Sequence, residues 1–507
     1  MKNIKIINIA IGVLLILSSC SDDFLEVEPK GQSLESNYYR NEAEAYGALV
    51  AAYDPVGWIS RDYVAKEFAL NVASDDFYTG GGSAQDVGVL QVWSNYTLDP
   101  ATGPQEELWR RGYSGIFRSN MLMSKLDGVD MKEDLKKRFE AETKFLRAYY
   151  YFDLIRLFGS IPLITEPLQA SQIASVVQAP REAVFAQIEQ DLIEATAGLP
   201  ETVNKDTEAG RATKGAAQAL LGKVYLQQEK YQDAANILKE VNGQPGGVSQ
   251  YGYRLMENFG ELFLDENQFN SESIFEVSHS SASNADWGNM TSTEGNLLNV
   301  MSAPRGYQIK VENSGAPDFV SGWGFNIPTE NLVEAFIENG KYDPRYKYTF
   351  TNVDSLANLG IVSYEKSYQD TGYFLKKFAG LESDRTEGNW LVNFPQNFYD
   401  IRLADTYLME AEAIVLGAGD VSRAQSLLDA VRARVGNDPI PVNFENIMKE
   451  RRLELAGEGH RWFDLVRTGM AAEALKFKGY VEGKHDKLPI PLLDLSNTNL
   501  EQDPAYK

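Results

Sequence analysis

The stretch ERRLELAGEGHRWFDLVRTG (450–469) sets His460 among Arg451, Arg452, Glu454, Glu458, Arg461 and Asp464. A histidine beside carboxylates is the makings of a general base. The same stretch places Leu453, Trp462, Phe463 and Leu465 in a helical pattern, and so reads as a packed, ion-paired corner. We prefer that structural reading. Other chemistry is thinly supported. Three histidines (His279, His460, His485) and one cysteine give a poor ligand set for zinc or copper, so no metal and no cofactor is expected. The glycines at 80–82 follow a polar stretch with no phosphate-loop pattern and read as a turn. Asp75–Asp76 and Glu410/Glu412 could pair as acid and base, but two carboxylates flanking a sugar leave no spacing signature. They read as turn and helix-surface charges.

The one cysteine has a more specific setting. Lys2 and Lys5 precede a mostly apolar run, Ile6 to Leu17, and then Ser18, Ser19 and Cys20. The run falls short of the about 20 residues that span a bilayer. It fits a secretory signal peptide over residues 1–19. Leu-Ser-Ser-Cys resembles the lipobox of bacterial lipoproteins, which implies acylation of the Cys20 thiol and of the new amino terminus. Acyl chains contribute about 0.8 kcal/mol per buried CH₂, enough together for a lasting anchor. The mature chain would then hold no disulfide. Its 43% hydrophobic residues suffice for a core alone. A net charge of −24 repels phosphate backbones, so no nucleic-acid partner is expected.

Helical patterns dominate from Asn41 onward. NEAEAYGALVAAYDPV opens on Asn41 as N-cap and stops before Pro55. In 106–126, Leu108, Tyr113, Ile116, Phe117 and Met121 mark a buried stripe. In 134–159, Phe139, Phe145, Leu146, Tyr149, Phe152 and Ile155 do so. A further helix lies within 179–200. The segment 220–241 places Leu221, Gly222 and Tyr225 before Ala234 and Leu238, which resembles a tetratricopeptide unit. Gly222 and Ala234 are small where two helices would cross. A weaker echo at 408–435 puts Ala424 and Leu428 at matching places. Three irregular regions interrupt the helices: 54–104, 279–330 and 352–399. Long loops inside a compact domain are commonly functional.

Several stretches together resemble the SusD/RagB family of outer-membrane lipoproteins. They are ERRLELAGEGHRWFDLVRTG, the Pro-Ile-Pro ending within 488–506, CSDDFLEVEP (20–29), AETKFLRAYYYFDLIRLFGSIPLIT (141–165) and FYDIRLADTYLMEAEA (398–413). The resemblance runs from Cys20 to the carboxyl end. It implies a mostly α fold with about four tetratricopeptide-like helix pairs and long irregular ligand-binding loops. One domain is expected over 20–507, with an N-terminal part at 20–230 and a C-terminal part at 270–507. The resemblance also implies a non-enzymatic, lipid-anchored cell-surface protein of the outer membrane. Such a protein captures a glycan for a SusC-like TonB-dependent transporter. A peptide receptor of the same system and a surface glycosidase are the alternatives.

Sugars offer apolar C–H faces to aromatic rings and hydroxyls to amides, carboxylates and guanidiniums. Aromatic residues outside helix stripes are therefore the better candidates. Asp76, Tyr78, Trp93, Asn95 and Tyr96 in the first region, and Trp287, Arg305 and Tyr307 in the second, form the expected ligand platform. Trp390 in the third region is held in reserve. Trp323, in SGWGFNIPT, resembles a family motif and is assigned to the scaffold; Trp109 and Trp462 are assigned to the core.

Overall fold

The computed structural model describes residues 38–58, 63–282, 294–386 and 389–507. The leader, Cys20 and Trp287 lie outside the described residues. We number the helices that build the scaffold as α1 (Glu42–Tyr53), α2 (Lys66–Ala73), α3 (Gly88–Ser94), α4 (Gln105–Leu126), α5 (Glu133–Phe158), α6 (Arg181–Gly198), α7 (Lys214–Gln227), α8 (Tyr231–Asn242), α9 (Leu403–Ala413), α10 (Val421–Arg434), α11 (Phe444–Glu454) and α12 (Arg461–Arg467). Helices α4 to α10 pack each on the next, as stacked helix pairs do. The fold is mostly α, and the stretches 220–241 and 408–435 contribute helix pairs to it.

Small residues set the closest crossings. A Cβ on Gly222 would lie 2.5 Å from Leu238 of α8, and one on Gly115 in α4 would strike the Tyr150 ring of α5 at 2.2 Å. Ala234, Ala424 and Leu428 are all fully buried. Asn41 caps α1, its side chain accepting from the Glu44 N–H at 3.1 Å. Helix α5 departs from the expected stripe. Residues 145–155 are buried on every side, which makes it the central helix of the core. Phe117 is a correction. It is 54% exposed because α4 turns Gly112, Ile116 and Ser119 inward instead. Glu410 and Glu412 are another. They do not lie on a helix surface but are buried, Glu410 against Arg423 and Asn242, Glu412 against Arg467.

Short antiparallel strand pairs carry the irregular regions. We use β1 (Phe77–Gly80), β2 (Ser273–Val277), β3 (Gln308–Ile309), β4 (Phe325–Pro328), β5 (Ile337–Glu338), β6 (Lys341–Tyr342), β7 (Phe350–Asn352), β8 (Val362–Ser363), β9 (Tyr373–Leu375) and β10 (Phe398–Arg402). The pairs are β1–β4, β2–β10, β3–β8, β5–β6 and β7–β9. The first of these ties region 54–104 to region 279–330. Among the described residues, no helix is long and apolar enough to cross a membrane.

Candidate functional site

The histidine-containing corner comes first, because it bears on catalysis. Glu450, Glu454 and Glu458 lie on and just after α11 and project into the interior. Arg402 meets Glu272, Glu454 and Glu458 at 2.6–2.8 Å, and Arg345 meets Glu450 and Glu454 at 2.6 and 3.0 Å. Arg432, Arg434 and Lys377 close the same lattice. All its carboxylates are buried and matched, as charges in a low-dielectric interior must be. His460 is buried beside Lys223, its Nδ1 3.4 Å from the ammonium. Burial, and then the Lys223 charge, push its pKa down to about 4. An enclosed ring set among the matched charges of Lys223, Asp405, Glu458 and Arg451 reads as a packing residue. Among the described residues, no cluster of metal-ligating side chains occurs.

Asp75 and Asp76 close the same corner from the other side. Both Asp75 oxygens accept from Arg461 at 2.9 Å, and Asp76 accepts from Arg452 at 2.7 Å. Burial opposes the Asp75 charge, but the Arg461 contacts hold its pKa below the usual range. Asp76, an expected ligand contact, is therefore a buried structural acid.

The other expected platform residues divide. Trp93 is wholly buried, edge-on to Trp462 with centroids 5.3 Å apart. Tyr96 is buried and its hydroxyl donates to the Ala73 carbonyl. Tyr307 is buried and donates to the Pro317 carbonyl at 2.8 Å. None of these three rings can stack on a sugar. The physical reason for the first two is α3, a seven-residue helix that turns Leu90 and Trp93 into the core and leaves Tyr96 just past its end. Asn95 is half-buried at the C-cap of that helix. Tyr78 is half-buried on β1, edge-on to the exposed ring of Phe477. Trp390 is half-buried under the Arg385 guanidinium at 4.2 Å. Trp109 and Trp462 are core, as expected.

Arg305 is the expected residue around which a surface site forms. Its Nη1 donates to the Trp323 carbonyl at 3.1 Å. Its backbone carbonyl accepts from Glu365 N–H at 2.8 Å. Tyr63 meets the half-buried Trp323 ring edge-on at 5.6 Å. The turn at 80–82 comes alongside. The Gly81 amide donates to the Gly324 carbonyl at 2.7 Å, and the Gly81 carbonyl accepts from Tyr368 at 2.8 Å. Gly82 donates to Asp86 Oδ2 at 2.8 Å. That close approach needs glycine: at Gly80 (φ +76°) a Cβ would lie 2.4 Å from the Gly324 carbonyl oxygen. A Cβ on Gly82 would sit 3.4 Å from both Arg305 Nη2 and Asp86 Oδ2, so the guanidinium and the acid flank this turn.

All three irregular regions thus meet at one surface. Two half-buried aromatic rings, a guanidinium and a carboxylate come together there. That set offers stacking and hydrogen bonding, and no nucleophile paired with a base. No sequence signal singles out Tyr63, and the motif around Trp323 reads as scaffold alone. The Trp323 backbone does serve the scaffold, since its N–H donates to Val300 at 2.9 Å. The small residues flanking it in SGWG were the available sign that its ring reaches a surface. Elsewhere, a cleft of about 820 Å³ opens between the end of α5, the start of α6 and residues 486–504. A smaller one of about 300 Å³ lies beside Trp58.

Comparisons with known proteins bear on this geometry. The model described as "SusD family" matches residues 271–489, and one described as "Starch-binding associating with outer membrane" matches residues 23–226. A SusD-like protein of Formosa agariphila is 25% identical, with 97% of each chain covered. A solved structure titled as a laminarin binding SusD-like protein is 50% identical; it covers 92% of this chain and 100% of its own, with a TM-score of 0.87. Surface glycan-binding protein A from Bacteroides thetaiotaomicron, solved in complex with laminarihexaose, is 26% identical; it covers 90% of this chain and 97% of its own, with a TM-score of 0.79. On these matches, together with the helical stack and its irregular loops, the chain belongs to the SusD family.

Proposed function

We propose that this protein captures a β-glucan of the laminarin type at the cell surface and hands it to a SusC-like TonB-dependent transporter without cleaving it. The carrying observation is the convergence of Trp323, Tyr63 and Arg305, each half-buried, at one place in the fold. The 50%-identical relative that binds laminarin, and the relative solved with laminarihexaose, support that choice of ligand. A polymer can be gripped along its middle only on an open face, which is the arrangement proposed for this site. Affinity is expected at micromolar or weaker, about −8 kcal/mol or less in magnitude. Trp287 remains a proposed contact. The test is calorimetric titration with laminarihexaose, alongside an assay for shortened products. Binding without shortening is expected; turnover that disappears on replacing one carboxylate would overturn the non-enzymatic reading.

The anchor is part of the same reading. After removal of residues 1–19, lipidated Cys20 would hold the outer membrane, and residues 20–507 would act as one domain of two sequence parts, 20–230 and 270–507. Cys20→Ala should move the protein from the outer-membrane fraction to the soluble one. If it still sediments with the membrane, the anchor lies elsewhere.

A further inference from the structure

Beyond the face at Trp323, a second group of aromatic residues stands on the surface. Strands β5 and β6 form a hairpin whose turn is Asn339–Gly340, both at positive φ (53° and 74°). An Asn-Gly pair is the favoured sequence for such a two-residue turn. The turn projects Tyr342, which is 55% exposed. Its ring lies 4.2 Å from that of Tyr346, tilted by 35°.

The support beneath is rigid. Tyr346 packs edge-on to Phe350, and Phe350 to Phe336. Arg345, wholly buried, ties the segment to Asp343 at 2.7 Å and to Glu450 of α11 at 2.6 Å. Tyr342 is exposed and Tyr346 half-buried beside it, and an exposed ring backed by a packed one loses little entropy on binding. On the hairpin, Glu338 pairs with Lys449 at 3.0 Å. Hydroxyl-bearing rings suit a sugar, whose C–H faces stack on them and whose hydroxyls hydrogen-bond.

The two surfaces are joined by one short loop. Tyr368 bonds to Gly81 at the first face, and Tyr373 opens β9 beneath the tyrosines. Asp370 fixes the loop between them, accepting from the amides of Ser367 and Gly372 at 3.1 and 2.8 Å. Five residues of chain span at most about 18 Å, so Tyr368 and Tyr373 lie within that distance of each other.

We infer that Tyr342 and Tyr346 form a second glycan subsite, which takes a further stretch of the same β-glucan chain after it leaves the Trp323 face. This rests on the proposed capture of a glucan at that face. A polymer long enough to touch both surfaces binds more tightly than an oligomer that touches one.

The test is titration of the full chain with laminarihexaose and with polymeric laminarin. The parent should bind the polymer more tightly. Tyr342→Ala should weaken polymer binding by roughly five-fold and leave hexaose binding unchanged, the stacking surface alone being lost. Tyr342→Phe, which keeps the ring, should stay near the parent. A Tyr342→Ala protein that binds polymer like the parent, or that loses hexaose and polymer equally, overturns the second subsite. A parent that binds neither ligand overturns the glucan reading, and the subsite with it.

Discussion

Replacing Arg402 by methionine should lower stability by about 3–5 kcal/mol, the cost of leaving buried carboxylates without their partner. Arg402 is wholly buried and its guanidinium serves Glu272, Glu454 and Glu458 at once. The measurement is the denaturant midpoint of the variant against the parent. A second signature comes from pH. Burial opposes the Glu454 and Glu458 charges, but the surrounding cations, Arg434 and Arg402 foremost, hold both pKa values below the ordinary 4.5. A carboxylate whose folded pKa is depressed contributes stability above its unfolded pKa, and that contribution is lost as pH falls toward the folded value. The parent should therefore lose stability as pH drops below about 4.5. Arg402→Met should lose less over the same interval, because its carboxylates are no longer held ionised. A variant as stable as the parent at neutral pH would show that the lattice is not what joins α11 to β10.

Trp462→Ala should cost about 3–5 kcal/mol by removing a wholly buried ring. Trp462 packs edge-on to Trp93 and to Phe463, each at 5.3 Å, and so joins α12 to α3. Because Trp93 and Trp462 share that contact, Trp93→Ala and Trp462→Ala should not be additive in the double variant. Both variants, where folded, should bind glycan as the parent does. A Trp93→Ala protein with an unchanged unfolding midpoint but lost binding would restore Trp93 to the ligand surface and contradict its placement in the core.

The helices were legible because their information is local. Apolar spacing, the Asn41 cap and the small residues Gly222 and Ala234 all act within a few turns of chain. The motif at 450–469 was legible as structure because its charges alternate with large apolar residues, which a solvent-facing catalytic loop has no reason to carry. The site was legible only in Arg305. Its parts come from Tyr63, the 80–86 turn, Trp323 and Tyr368, brought together by bonds such as Gly81 to Gly324 that no periodicity records. Trp93 and Tyr96 misled for a related reason. Seven residues of helix are too few to show a period within a glycine- and aspartate-rich stretch. Glu410 and Glu412 were read as surface charges because the partners that neutralise them, Arg423 and Arg467, lie 13 and 55 residues away in the chain.

The central claim is that the Trp323 face grips a β-glucan. Titrating laminarihexaose into the parent and into Trp323→Ala tests it most directly, with the unfolding midpoint of each recorded alongside. The parent should bind, and the variant should bind about tenfold more weakly, a loss of about 1.4 kcal/mol, at a nearly unchanged midpoint. A parent that binds no laminarihexaose, or a folded Trp323→Ala protein that binds it with parental affinity, would contradict the claim.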